Sequence, residues 1–117
     1  MKSLVLAVLL VLGLALPAAA QRSGLYDVSG TNLDGSEYSG TMQLTQIGAA
    51  SFRVTWSIGG DVIEGVGMVS GLTFVTAFNS GDQTGLGIYE IKPGDILEGK
   101  WTLVGAFNTG QETARPR

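Results

Sequence analysis

The stretch Ser51-Phe52-Arg53-Val54-Thr55-Trp56-Ser57-Ile58 alternates polar and apolar residues without a break. Successive side chains of an extended chain point to opposite faces. Phe52, Val54, Trp56 and Ile58 therefore share one face, and Arg53, Thr55 and Ser57 the other. A one-residue slip would carry the whole apolar set to the wrong side, so the register is well specified. Upstream, Tyr38, Gly40, Met42 and Leu44 alternate with Ser39, Thr41, Gln43 and Thr45 in the same way. No segment keeps a 3.6-residue period.

Working outward from these two strands, the pattern predicts others near 25–30, 61–69, 72–79, 84–91, 96–104 and 109–114. Asp34-Gly35, Gly59-Gly60, Ser80-Gly81-Asp82 and Pro93-Gly94 fall between them and carry hairpin chemistry. Short strands, regular turns and no crossover helix describe an all-β fold. The expectation is an antiparallel up-and-down barrel, or a strongly curled meander, of about seven or eight strands.

The N-terminus reads differently. Met1-Lys2 precedes an apolar run from Leu4 to Leu16, then Pro17 and Ala18-Ala19-Ala20. The run is shorter than the roughly 20 residues a membrane span needs, and the small residues match a signal-peptidase site. Residues 1–20 are therefore expected to be a cleaved secretory signal, 21–114 a single β-barrel domain, and 115–117 a frayed end. No later segment is apolar enough to insert into a membrane. The protein is expected to be exported, to the periplasm or the exterior of a Gram-negative cell.

Composition excludes several chemistries. The chain has 117 residues, 18 glycines, no Cys, no His and a net charge of −3. Without Cys there are no disulfides, thiol nucleophiles or thiolate metal sites; without His there is no Ser-His-Asp triad. The acidic balance argues against nucleic acid as a partner. Asn32-Leu33-Asp34-Gly35-Ser36 lacks the carboxylates a calcium loop needs at its first and last positions, and reads as a turn. Gly65-Val66-Gly67 and Gly85-Leu86-Gly87 lack the third glycine and the helix of a dinucleotide site. No catalytic residue, metal ligand or cofactor is expected. Arg53, Lys92 and Lys100 stand apart and read as solvated strand faces.

An internal echo marks the glycines. Gly60 to Gly71 aligns without a gap to Gly94 to Gly105, and five of twelve positions are identical. Each copy has a turn, an inward apolar residue (Ile63, Leu97) and a glycine two residues on (Gly65, Gly99); Tyr38 and Gly40 form a looser third copy. Inward glycines mark bends or room for a neighbouring ring, here expected to be the two indoles. The echo also pairs Glu64 with Glu98, but both alternate with the inward set and should face solvent. Tyr38, Trp56, Phe74 and Trp101 are the candidate ligand-binding residues of the barrel interior. For so short a chain a filled core is expected, with an apolar cavity as the alternative.

The glycine-aromatic framework resembles a known family. It comprises Tyr26-x-Val28-x-Gly30-Thr31-Asn32-x-Asp34-Gly35-Ser36-x-Tyr38-x-Gly40, Val54-x-Trp56-x-Ile58-Gly59, Gly65-x-Gly67, Tyr89-x-Ile91, Gly94-x-x-Leu97-x-Gly99-x-Trp101 and Gly110-x-Glu112. These residues resemble a family of small exported proteobacterial proteins, some of which carry the label fibronectin-binding protein. The resemblance implies a non-enzymatic interaction module whose partner is an extracellular or envelope protein. At the level of fold, the layout is also similar to avidin-like and calycin barrels. Two further expectations are a carrier of small apolar ligands and, as a minor one, a protease inhibitor.

Overall fold

The computed structural model describes residues 21–117; the expected signal segment lies outside the described residues. Eight strands follow one another: β1 (Gly24–Thr31), β2 (Glu37–Gln46), β3 (Ser51–Ile58), β4 (Asp61–Ser70), β5 (Thr73–Ser80), β6 (Gln83–Lys92), β7 (Ile96–Leu103) and β8 (Gly110–Pro116). Each pairs antiparallel with the next, and β8 returns to β1, closing the sheet into an up-and-down barrel. Closure leaves no free edge, which suits a cysteine-free domain of this size.

Alternation holds through β2 and β3. Met42, Leu44, Phe52, Val54 and Trp56 are buried, and their polar neighbours face outward. The Gly59-Gly60 turn works as its composition requires: Ile58 pairs with Asp61, and both glycines sit at positive φ (58° and 89°), as a tight two-residue hairpin demands.

Three expectations need correction. First, the chain end is not frayed. Arg115 pairs with Asp27 and Pro116 with Tyr26. The Arg117 amide donates to the Leu25 carbonyl at 3.0 Å, and its Nε donates to Asp27 Oδ1 at 2.9 Å. The exposed edge of β1 provides these partners only after the chain has travelled the full circle. Second, the polar outward faces read from the 38–45 and 51–58 strands do not extend to every strand. Val62, Val66 and Met68 on β4, Val75 on β5, and Leu86 and Ile88 on β6 all face out. Third, of the two roles expected of the inward glycines, most serve the first, as bends, and few make room for the indoles. A Cβ at Gly40, Gly65 or Gly99 would overlap the carbonyl of a neighbouring strand (Ser57, Ala77 and Ile88), so these glycines bend the sheet around the barrel. Gly67 instead accommodates the Phe74 ring and Gly85 the Phe78 ring. The glycine against an indole is Gly110, under Trp101.

The interior divides along the barrel axis. Near the end that carries the β2–β3, β4–β5 and β6–β7 turns, Tyr26, Met42, Leu44, Phe52, Val54, Phe74, Leu97 and Ala114 form a filled core. Phe52 and Phe74 meet edge to face, with centroids 5.6 Å apart. Gln21 plugs this end: its Nε2 donates to Tyr26 Oη at 2.9 Å and to the Asp95 carbonyl at 2.7 Å. The Tyr26 hydroxyl in turn donates to the Arg22 carbonyl. The other end is not filled.

Candidate functional site

At the opposite end the barrel encloses a cavity of about 250 Å³. Its wall takes side chains from every strand except β1, together with Asn32 from the loop that follows β1. Trp56, Phe78 and Trp101 form an aromatic arc, with Phe78 between the two indoles at centroid distances of 5.2 and 6.2 Å. Tyr38 meets Trp101 edge to face at 6.4 Å. Ile58, Ile63 and Leu103 complete the apolar wall, and Asp61 and Ser80 stand at strand ends around the mouth.

The wall also contains an acid. Glu112 lies at an inward position of β8, between the small residues Gly110 and Ala114, and is 5% exposed. Three side chains donate to its carboxylate: Tyr38 Oη to Oε1 at 2.8 Å, Trp56 Nε1 to Oε2 at 3.1 Å, and Tyr89 Oη to Oε2 at 2.6 Å. They reach it from β2, β3 and β6, so the barrel must close before the network exists. Burial pushes the Glu112 carboxyl above its ordinary value, and the bonds from Tyr89, Tyr38 and Trp56 oppose that shift. Burial, reinforced by the adjacent carboxylate, raises both Tyr38 and Tyr89 as well, so both hydroxyls keep their protons and serve as donors. Asp61 and Glu112 are the acids of the lining, which contains no Lys or Arg.

Of the four residues expected from sequence, Tyr38, Trp56 and Trp101 line the cavity. Phe74 does not. It is completely buried in the filled half, because it is the second residue of β5, near the closed end. Phe78, four residues further along the same face, takes the place expected for it. Alternation tells which side chains point inward but not how far along the axis they sit. The expectation of a filled core therefore describes one half of the barrel, and the cavity alternative describes the other.

Sequence reasoning also passed over Glu112 and Tyr89 as site residues. A signal for Glu112 was present: in Gly110-Gln111-Glu112-Thr113-Ala114 the acid shares its parity with two small residues. Charged residues are nonetheless read outward by default, as Glu64 and Glu98 were. Those two are indeed exposed.

No protein-family model and no curated protein matches the chain. Solved structures do. A de novo designed fluorescence-activating β-barrel is similar with a TM-score of 0.61 at 19% identity, over 83% of this chain and 94% of that one. A redesigned β-barrel is similar at 0.64 and 17%, over 81% and 90%. A mutant of the fluorescent protein UnaG is similar at 0.55 and 13%, over 83% and 96%. At these identities the likeness is one of fold, and it defines the chain as a closed β-barrel.

Proposed function

We propose that the protein is an exported, non-enzymatic binding module that holds a small, largely apolar ligand in the open half of its barrel. The observation that carries this reading is the aromatic-walled cavity, which sits above a fully packed core in the same barrel. Binding sites are concave and mostly apolar, with a few placed polar groups, and this cavity has that composition. One similar barrel was designed as fluorescence-activating, which is in keeping with the reading. Export is supported by the sequence of residues 1–20. A non-enzymatic role is supported by the lack of His and Cys in the sequence.

Titration of the protein's tryptophan emission with a panel of small aromatic and alicyclic compounds tests the reading, because Trp56 and Trp101 both line the cavity. Saturable emission changes are expected, and Ile63→Trp, which puts an indole into the space, should weaken binding while the barrel stays folded. Unchanged emission together with no calorimetric heat across the panel would reject it.

A protein partner is favoured by a different observation, the outward apolar face of β4–β6. Cross-strand pairing sets Val66, Ala77 and Leu86 in one row and Met68, Val75 and Ile88 in the next. Contiguous exposed apolar surface of this kind marks interaction sites. Surface-binding titrations against fibronectin and envelope proteins test it, and lack of saturable binding at micromolar concentrations would count against it.

A further inference from the structure

Resting on the reading of the cavity as a ligand site, we infer that the ligand is a small organic cation. An ammonium group hydrogen-bonds Glu112, and an aromatic or alicyclic body fills the space between Trp56, Phe78 and Trp101. The first observation is the carboxylate. Its two oxygens offer about four acceptor sites, and Tyr38, Trp56 and Tyr89 occupy three of them. Oε2 takes two donors and Oε1 one, so the open site is on Oε1, beside Tyr38.

Charge is the second observation. A buried carboxylate is costly unless it is paired, and hydrogen bonds alone compensate it only in part. No cation lines this cavity. The ion pairs among the described residues, Lys92–Glu90 and Arg117–Asp27, are on the outside of the barrel. Asp61 at the mouth adds potential of the same sign along the path inward. An anionic ligand would meet both acids with no positive partner, and a neutral one would leave Glu112 uncompensated. A bound metal ion is a poorer fit. Hard cations take six or more oxygen ligands, and no group of three or more metal-binding side chains occurs among the described residues.

The walls supply the third observation. Cations are attracted to aromatic faces, most strongly to tryptophan, and two indoles, a phenyl and a phenol surround the space above Glu112. At about 30 Å³ per liquid water, the cavity suits a ligand of roughly eight or nine non-hydrogen atoms. A single aromatic ring bearing a short aminoalkyl chain meets that limit.

Calorimetry with four probes of similar size and shape tests the inference: phenethylamine, phenethyl alcohol, phenylacetate and ethylbenzene. Phenethylamine should bind at least about tenfold more tightly than the alcohol, and phenylacetate most weakly. Glu112→Gln should bring the amine down to the affinity of the alcohol and leave the alcohol and ethylbenzene nearly unchanged. Near-UV circular dichroism checks that the variant is folded. A measurement on the unaltered protein covers the case where it is not. Lowering the pH to protonate Glu112 should weaken the amine and not the alcohol. The groups facing Glu112 are Tyr38 and Tyr89, both held neutral, and Asp61 stands at the mouth. Equal affinity for amine and alcohol in the unaltered protein would overturn the cationic ligand while leaving the cavity reading intact. Absence of binding by all four probes, ethylbenzene included, would overturn both.

Discussion

Glu112 concentrates the chemistry of the molecule in one side chain, and its titration has a definite sign. Burial raises its carboxyl, so the folded state holds that proton more tightly than the unfolded chain does. Its contribution to stability is full below the ordinary carboxylate value and is lost as pH rises through the raised one. Glu112→Gln should remove that part of the pH profile. Urea unfolding between about pH 4 and 8 should show a flatter curve, with no loss of stability at the upper end. The amide fits, because its oxygen can accept from Trp56 and Tyr89 while its nitrogen donates to a reoriented Tyr38 hydroxyl. Glu112→Ala leaves the three donors without their acceptor and should cost about 1–3 kcal/mol in the same assay. Glycines make an equally local prediction. Gly85 lies against the Phe78 ring, and Gly110 against the Thr31 carbonyl and the Trp101 indole. Alanine at either position should destabilise by about 1–3 kcal/mol, as overpacking does, and should disturb ligand binding through the displaced ring.

Among the elements, β3 was the most legible and β8 the least. In β3 strict alternation and bulky apolar residues fix both register and face, and Phe52 and Trp56 were placed inward from sequence alone. Phe52→Ala should cost about 3–5 kcal/mol in chemical denaturation, since the ring is fully buried in the filled half. β8 has small or polar residues at its inward positions, Gly110, Glu112 and Ala114, so its burial pattern has little hydrophobic contrast. Its ladders are also short: six residue pairs join it to β1 and five to β7, against eight in each of the β3–β4 and β6–β7 ladders. Removing residues 110–117 would leave two unpaired edges and delete Glu112. The truncated chain should aggregate on size-exclusion chromatography, whereas the full chain elutes as a defined species.

For the whole molecule, closure and the division of the interior are the decisive features. The exposed apolar rows on β4–β6 lie outside both, so replacing Val66 and Ile88 by Thr should change stability by no more than about 0.5 kcal/mol each. Thermal melts check this, and a larger loss would show that the outer face supports the fold. Alternation, turn glycines and the lack of helical period were enough to predict an antiparallel barrel or curled meander, because those signals act over a few neighbouring residues. Closure pairs the two ends of the chain and came only from the tertiary structure. The sequence also selected the inward aromatic set, three of whose four named members line the cavity. It could not say that Phe74 and Phe78 serve different halves of the barrel, since parity carries no information about height. Nor could it assemble Glu112 with Tyr38, Trp56 and Tyr89, which are separated from it by 74, 56 and 23 positions. Only the closed barrel brings those strands face to face, and only there does a solitary acid become a buried acceptor beneath an aromatic cavity.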